Sequence, residues 1–197
     1  MIRFLVACIA SLAVSASALA ADAHGFHIED PQGALSADTQ AALDAQLQIV
    51  ESVGLPQMVL DKMRQTPIVI DPSLRGQPGV FMPRNGGVVV VRPFAFPANK
   101  PILLHELLHA YDFKVLGMAD PKVAAAYRNA RANPAFPAQF QSSHFLANAK
   151  EFFAVTGTLY LFGDIQQPPF GCASLSKLGQ DYLDFLAAQF GPHSCKG

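Results

Sequence analysis

The stretch Ile102-Leu103-Leu104-His105-Glu106-Leu107-Leu108-His109 constrains this chain more than any other. It is almost wholly apolar, yet it carries two imidazoles and a carboxylate. Asn99 is placed to cap a helix, Pro101 suits its first turn and Gly117 its end. The spacing therefore predicts one helix running to about Leu116. Residues four apart on a helix stand one turn above each other on the same face. His105 and His109 then point the same way, with Glu106 beside them. Such a cluster is costly to bury without a partner, and a divalent ion is a partner that suits all three. Two imidazoles at this spacing hold a zinc ion, and the adjacent carboxylate accepts a proton from the water that zinc activates. His105 and His109 are thus candidate ligands of Zn2+, and Glu106 is the candidate general base for attack on a carbonyl.

Zinc needs a third protein ligand. The chain has four glutamates, Glu29, Glu51, Glu106 and Glu151. Glu151 stands alone among them in lying on a predominantly apolar helix downstream of the motif, where a carboxylate wants a partner. Asp112, three residues after His109, lies on nearly the same face. It can accept a hydrogen bond from an imidazole behind the metal, or pair with Lys114 or nearby backbone. Two functions stay open on these residues: a hydrolase, or an exported metal-binding module that holds a peptide or partner without catalysis. Glu106 favours the hydrolase, because a site that only binds metal has no use for it.

Around this helix the chain reads as α+β. Residues 24 to 35 look irregular and exposed. Ser36 or Asp38 can cap a helix to about Val53, and a short helix follows from Pro56. Residues 67–71, 79–82 and 88–92 are short β-branched or apolar runs. The Asn85-Gly86 step between the last two predicts a hairpin. After the motif, helices are expected from Asp120-Pro121 to Arg131, over 146–162, and from Ser174 to Phe190. The expectation is a small mixed or antiparallel sheet in the first half, packed on a mainly helical second half.

With 51% apolar and 15% charged residues, the chain can bury a core and is not disordered by composition. The net charge of -1 and scattered Lys and Arg argue against a nucleic-acid partner. Residues 1–20 read as a signal peptide: Arg3, an apolar run from Phe4 to Val14, then Ala18-Leu19-Ala20 as a small-x-small cleavage site. That leaves a single domain over 21–197, periplasmic or secreted, with no stable membrane insertion. Cys8 leaves with the leader. Cys172 and Cys195 remain as an even pair in an oxidising compartment, and a disulfide between them is expected.

His-Glu-Leu-Leu-His-Ala-Tyr-Asp (105–112), followed about forty residues later by Asn-Ala-Lys-Glu-Phe-Phe-Ala (148–154), resembles the gluzincin zinc metallopeptidases. The resemblance is greatest to the branch holding the anthrax lethal factor catalytic domain and the secreted Pro-Pro endopeptidases. It spans roughly residues 80–165. It implies a zincin-like fold with an active-site helix, a peptide or protein substrate, and Glu151 as third ligand. That branch places a tyrosine seven residues before this Glu to stabilise the oxyanion. Here the position holds His144, and histidine plays that part in other gluzincins. The metzincin pattern is excluded by Asp112 and Val115, and the acid that thermolysin-like members carry four residues after the ligand Glu is replaced by Val155. Gluzincins bind peptide along an edge strand, and Gly87 to Arg92 is the candidate edge, although four consecutive valines also fit an interior strand.

Overall fold

The computed structural model describes residues 19–136, 138–163, 165, 171–192 and 194–195. Five strands, β1 (Leu19–Ala23), β2 (Phe26–Asp30), β3 (Ile68–Ile70), β4 (Gly79–Met82) and β5 (Val88–Val91), form one mixed sheet in the order β1-β2-β3-β5-β4. The central three are parallel, and β1 and β4 run antiparallel along the two edges. Parallel strands are covered on both faces, which is why β5 is a run of valines. Val89, Val90 and Val91 are all buried, together with Ile68 and Ile70. The second half is mostly helical, so the α+β architecture stands.

One segment corrects the sequence reading. Residues 24–35 are not all irregular and exposed. Phe26 and Ile28 turn into the core while His27 faces out, and β2 pairs with both β1 and β3. The alternation is only one strand long, and its polar positions masked it. The Asn85-Gly86 hairpin forms as expected, with Met82 opposite Val88 and Asn85 in the left-handed region at φ 53°.

The helices are α1 (Ala37–Ser52), α2 (Gln57–Arg64), α3 (Ile102–Tyr111), α4 (Pro121–Ala132), α5 (Ala149–Phe162), α6 (Cys172–Leu175) and α7 (Gln180–Phe190). Ser36 caps α1 in a reciprocal box with Thr39, Asp120 caps α4, and Asn148 caps α5. Asn99 does not cap α3. Its role falls to Gln46 of α1, buried beneath the helix start. The Gln46 side chain accepts from the Leu103 N–H at 3.2 Å and donates to the Lys100 carbonyl at 3.1 Å. After Tyr111 the helix widens into π-helical turns over Asp112–Leu116 and ends at Gly117. The helix expected from Ser174 is two pieces, α6 and α7, divided by a 3₁₀ turn (Ser176–Leu178) and Gly179.

α3 runs through the middle of the molecule. It packs on β4, β5, α1 and α2 on one side and on α5 on the other. Leu103, Leu104, Leu107 and Leu108 are fully buried and lock it in place. Gly157 is what lets α5 come close, since a Cβ there would stand 3.1 Å from Leu108 Cδ1. The distance between the two helices, and hence the site between them, depends on that missing side chain.

Cys172 and Cys195 form a disulfide with their Cα atoms 5.4 Å apart, closing a sequence separation of 23. It fastens the chain's last residues to α6, beside the Ser194 N–H that donates to the Tyr160 carbonyl at 3.0 Å. Loop closure of this length stabilises by about 3 kcal/mol. The Cys172→Ser/Cys195→Ser double variant is therefore expected to melt about 6–12 °C lower by calorimetry. An unchanged melting point would mean that packing alone holds the tail.

The expected leader lies, up to residue 18 and including Cys8, outside the described residues. Cleavage after Ala20 would leave Ala21, Asp22 and Ala23 of β1 paired with Ile28, His27 and Phe26. Among the described residues no helix is long and apolar enough to cross a membrane.

Candidate metal centre

The helical spacing of the motif does what its periodicity implies: the His105 and His109 Nε2 atoms lie 3.2 Å apart. α5 delivers the third group. Asn148 accepts from the Lys150 and Glu151 N–H groups at 3.0 Å each, and this fixes the first turn of α5 with Glu151 facing α3. Glu151 Oε2 then stands 3.4 Å from His105 Nε2 and 3.3 Å from His109 Nε2. The three atoms make a nearly equilateral triangle. Ligands at about 2.0–2.1 Å from a tetrahedral ion are separated by about 3.3–3.4 Å, so the triangle has the size of one face of such a shell.

The state of Glu151 Oε2 supports the fit. The atom is buried and receives no well-directed hydrogen bond, although three imidazole nitrogens surround it. Burial would raise the pKa of this carboxyl, but His105, His109 and His144 outweigh it and hold the group far below the usual carboxylate range. A buried, ionised, underbonded oxygen among imidazoles is a donor set suited to a cation.

His144 completes a second possible trio with His105 and Glu151, all within 4.8 Å of one another. Its Nε2 lies only 2.7 Å from Glu151 Oε2. That is closer than two ligands of one tetrahedral ion stand. His144 therefore pairs with the carboxylate from outside, while His109 closes the tighter triangle. His144 is also 59% exposed at the mouth of the site. Its contact with Glu151 raises its pKa against the opposing effect of burial.

Glu106 is buried on the same helix and turns toward the sheet, where its Oε2 accepts from the Phe81 N–H at 2.8 Å. Asp112 is buried where α3 widens. Burial raises its pKa, and the nearby positive charge of His109 opposes this. Among the described residues no hydrogen bond joins its carboxylate to His105 or His109. It sits behind the histidines, where His109, Lys150 and the Met118 N–H all favour its charged form.

The edge strand differs from the one expected. Residues 87–92 hold the interior strand β5, and the edge over the motif is β4. The Arg92 N–H donates to the Pro78 carbonyl at 2.9 Å. The alternation of an antiparallel ladder then directs the backbone groups of Val80 and Met82 toward β5, and those of Gly79 and Phe81 outward over α3. A strand order is a tertiary fact, and four valines fit an interior position at least as well as an edge. Gly79 and Phe81 were visible in the sequence only as members of a short strand. A lone glycine in a strand is the signal for a close backbone approach.

Two adjoining hollows lie at the site, and the smaller one holds the triangle of His105, His109 and Glu151. One, of about 510 Å³, is lined by Gly79, Ile102, Val155, Thr158 and Ile165. The other, of about 210 Å³, is lined by Phe81, Pro83, Met118 and Lys150. They meet at His105, Glu106 and His144. The arrangement is a cleft with the histidines at one end and residues of β4 along its wall.

No family model matches the chain, and no curated protein sequence matches it. The solved structure of the Pro-Pro endopeptidase (PPEP-2) from Paenibacillus alvei is similar. The TM-score is 0.55, over 83% of this chain and 97% of that one, at 20% sequence identity. At that identity the likeness is one of fold: this chain shares the architecture of an endopeptidase.

Proposed function

We propose that the protein is an exported zinc metallopeptidase of the gluzincin type. In this reading His105, His109 and Glu151 hold the ion and Glu106 is the general base. The observation that carries it is the triangle of His105 Nε2, His109 Nε2 and Glu151 Oε2 at 3.2–3.4 Å, with a buried carboxylate beside it. The similarity in fold to an endopeptidase supports the same reaction. That neighbour's preference for Pro-Pro bonds is not transferred.

Bound zinc would acidify a water molecule and polarise the carbonyl of the bond to be cut. The chain's own groups do the rest. Glu106, held on the β4 side, takes the water's proton and passes it to the leaving amine. His144 stands at the mouth, placed to donate a hydrogen bond to the oxygen on which charge develops. An extended peptide lies along β4, using the outward Gly79 backbone groups and the Phe81 carbonyl, with side chains in the two hollows. The leader over residues 1–20 and the Cys172–Cys195 disulfide both accord with an oxidising, exported setting.

The test is hydrolysis of an unstructured protein by the purified chain, followed by chromatography of the fragments. Cleavage should stop with a zinc chelator and return on adding zinc. Cleavage that persists after the metal has been removed, as verified by elemental analysis, would sink the proposal.

A further inference from the structure

Glu106 leaves α3 toward β4, and β4 meets it in two ways. The Phe81 N–H, outward-facing and outside the β4–β5 ladder, donates to Glu106 Oε2 at 2.8 Å. Two residues earlier, Gly79 presents no side chain at all. A Cβ at residue 79 would lie 3.2 Å from Glu106 Cγ, 3.4 Å from Ile102 Cγ2 and 3.5 Å from Val91 Cγ1. The first of these is tighter than ordinary van der Waals contact. Ile102 and Glu106 are one turn apart on α3, and the fully buried leucines on either side keep that backbone from moving. If residue 79 had a side chain, the most mobile neighbour would be the Glu106 carboxylate arm.

We propose that β4 is the positioning element for the general base. The Phe81 amide holds one carboxylate oxygen, and the bare Cα of Gly79 leaves room for the Glu106 arm to lie against the strand. Oε1 takes no part in that bond. The same bond removes the Phe81 N–H from the donors that a docked peptide can use, so substrate pairs with the strand through Gly79 and the Phe81 carbonyl. The inference rests on the peptidase reading for its catalytic consequence, but the contact itself does not.

Two sets of measurements separate the contact from its consequence. The first is hydrogen exchange of the residue 81 amide, followed by NMR in wild type and in Glu106→Ala. An outward amide on an edge strand exchanges fast unless something accepts from it. Slow exchange in wild type that becomes fast in the variant is expected, whether or not any peptide is cut. Equally fast exchange in both would overturn the contact.

The second is kcat and bound zinc for Gly79→Ala, Phe81→Pro and Phe81→Leu, with Met82→Ala as a control for disturbance of the strand. Proline removes an N–H that the ladder does not use, in a place where an edge strand tolerates it, and leucine keeps it. Gly79→Ala is expected to lower kcat about tenfold by displacing the carboxylate a few tenths of an ångström. Phe81→Pro is expected to lower it about 10–100-fold, the range for a lost hydrogen bond to a charged group, and well below Phe81→Leu. Zinc content should change little, and any rise in KM on losing the Phe81 ring should be shared by Phe81→Leu. A kcat for Gly79→Ala and Phe81→Pro equal to that of Met82→Ala would overturn the positioning role even if the amide contact is real. Absence of hydrolysis in wild type would refute the peptidase reading, and the contact would then be judged by exchange alone.

Discussion

Glu151→Ala is expected to leave the purified protein with only traces of zinc, where wild type retains about one ion per chain after dialysis. The reason is geometric. His105 and His109 come from one helix and define only an edge of the triangle, and the α5 carboxylate supplies its third corner at 3.3–3.4 Å. Losing an outer-shell partner alone costs about 10–100-fold in metal affinity, so losing a ligand should cost at least about 100-fold. Stability should report the same loss. A ligand present at a thousand times its dissociation constant stabilises by about 4 kcal/mol, which for a chain of this size is about 8–16 °C in melting temperature. Wild type should therefore melt lower with chelator, and Glu151→Ala should be indifferent to it. A variant that keeps a full equivalent of zinc would show that His144, not Glu151, completes the site.

Glu106→Gln should behave in the opposite way. The amide is nearly isosteric, its carbonyl can still accept from the Phe81 N–H, and the residue is no corner of the ligand triangle. Zinc should stay at about one per chain. The amide cannot take a proton, so kcat should fall about 10²–10⁴-fold, the range for loss of a general base. Loss of zinc together with activity would make Glu106 structural. An unchanged rate of hydrolysis would remove it from the mechanism and with it the mechanism proposed above. Comparing the two variants separates metal binding from catalysis: both should lose activity, but only Glu151→Ala should lose zinc with it.

Much of this arrangement was legible in the amino-acid order because it is local. The four-residue spacing of His105 and His109 puts both rings on one helix face, and their Nε2 atoms lie 3.2 Å apart. Ser36 and Asp120 cap their helices because a side chain reaches only the next turn, whereas Asn148 caps a helix that was expected to start at 146. Glu151 stood out as a carboxylate on a greasy helix, and the Cys172–Cys195 pair followed from parity once Cys8 was set aside.

Other features depended on partners far along the chain. Asn99 was a sound cap by local rules, but Gln46 reaches the start of α3 across 57 residues and takes that role. β2 carries a strand's alternation over only five residues, too few to distinguish it from a loop until β1 and β3 pair with it. Which strand is the edge is a property of the sheet: β4 and β5 are both short and apolar, and only pairing with β3 puts β5 inside.

The sequence by itself determined the chemistry: which side chains sit on α3 and α5, and at what helical phase, because phase follows from residue spacing. Tertiary structure alone decided how those two helices meet. The contact at Gly157, the choice of β4 as roof and the hold of Phe81 on Glu106 are all made between residues distant in the chain. No local rule encodes them, since each depends on how buried surfaces pack once the whole core has formed.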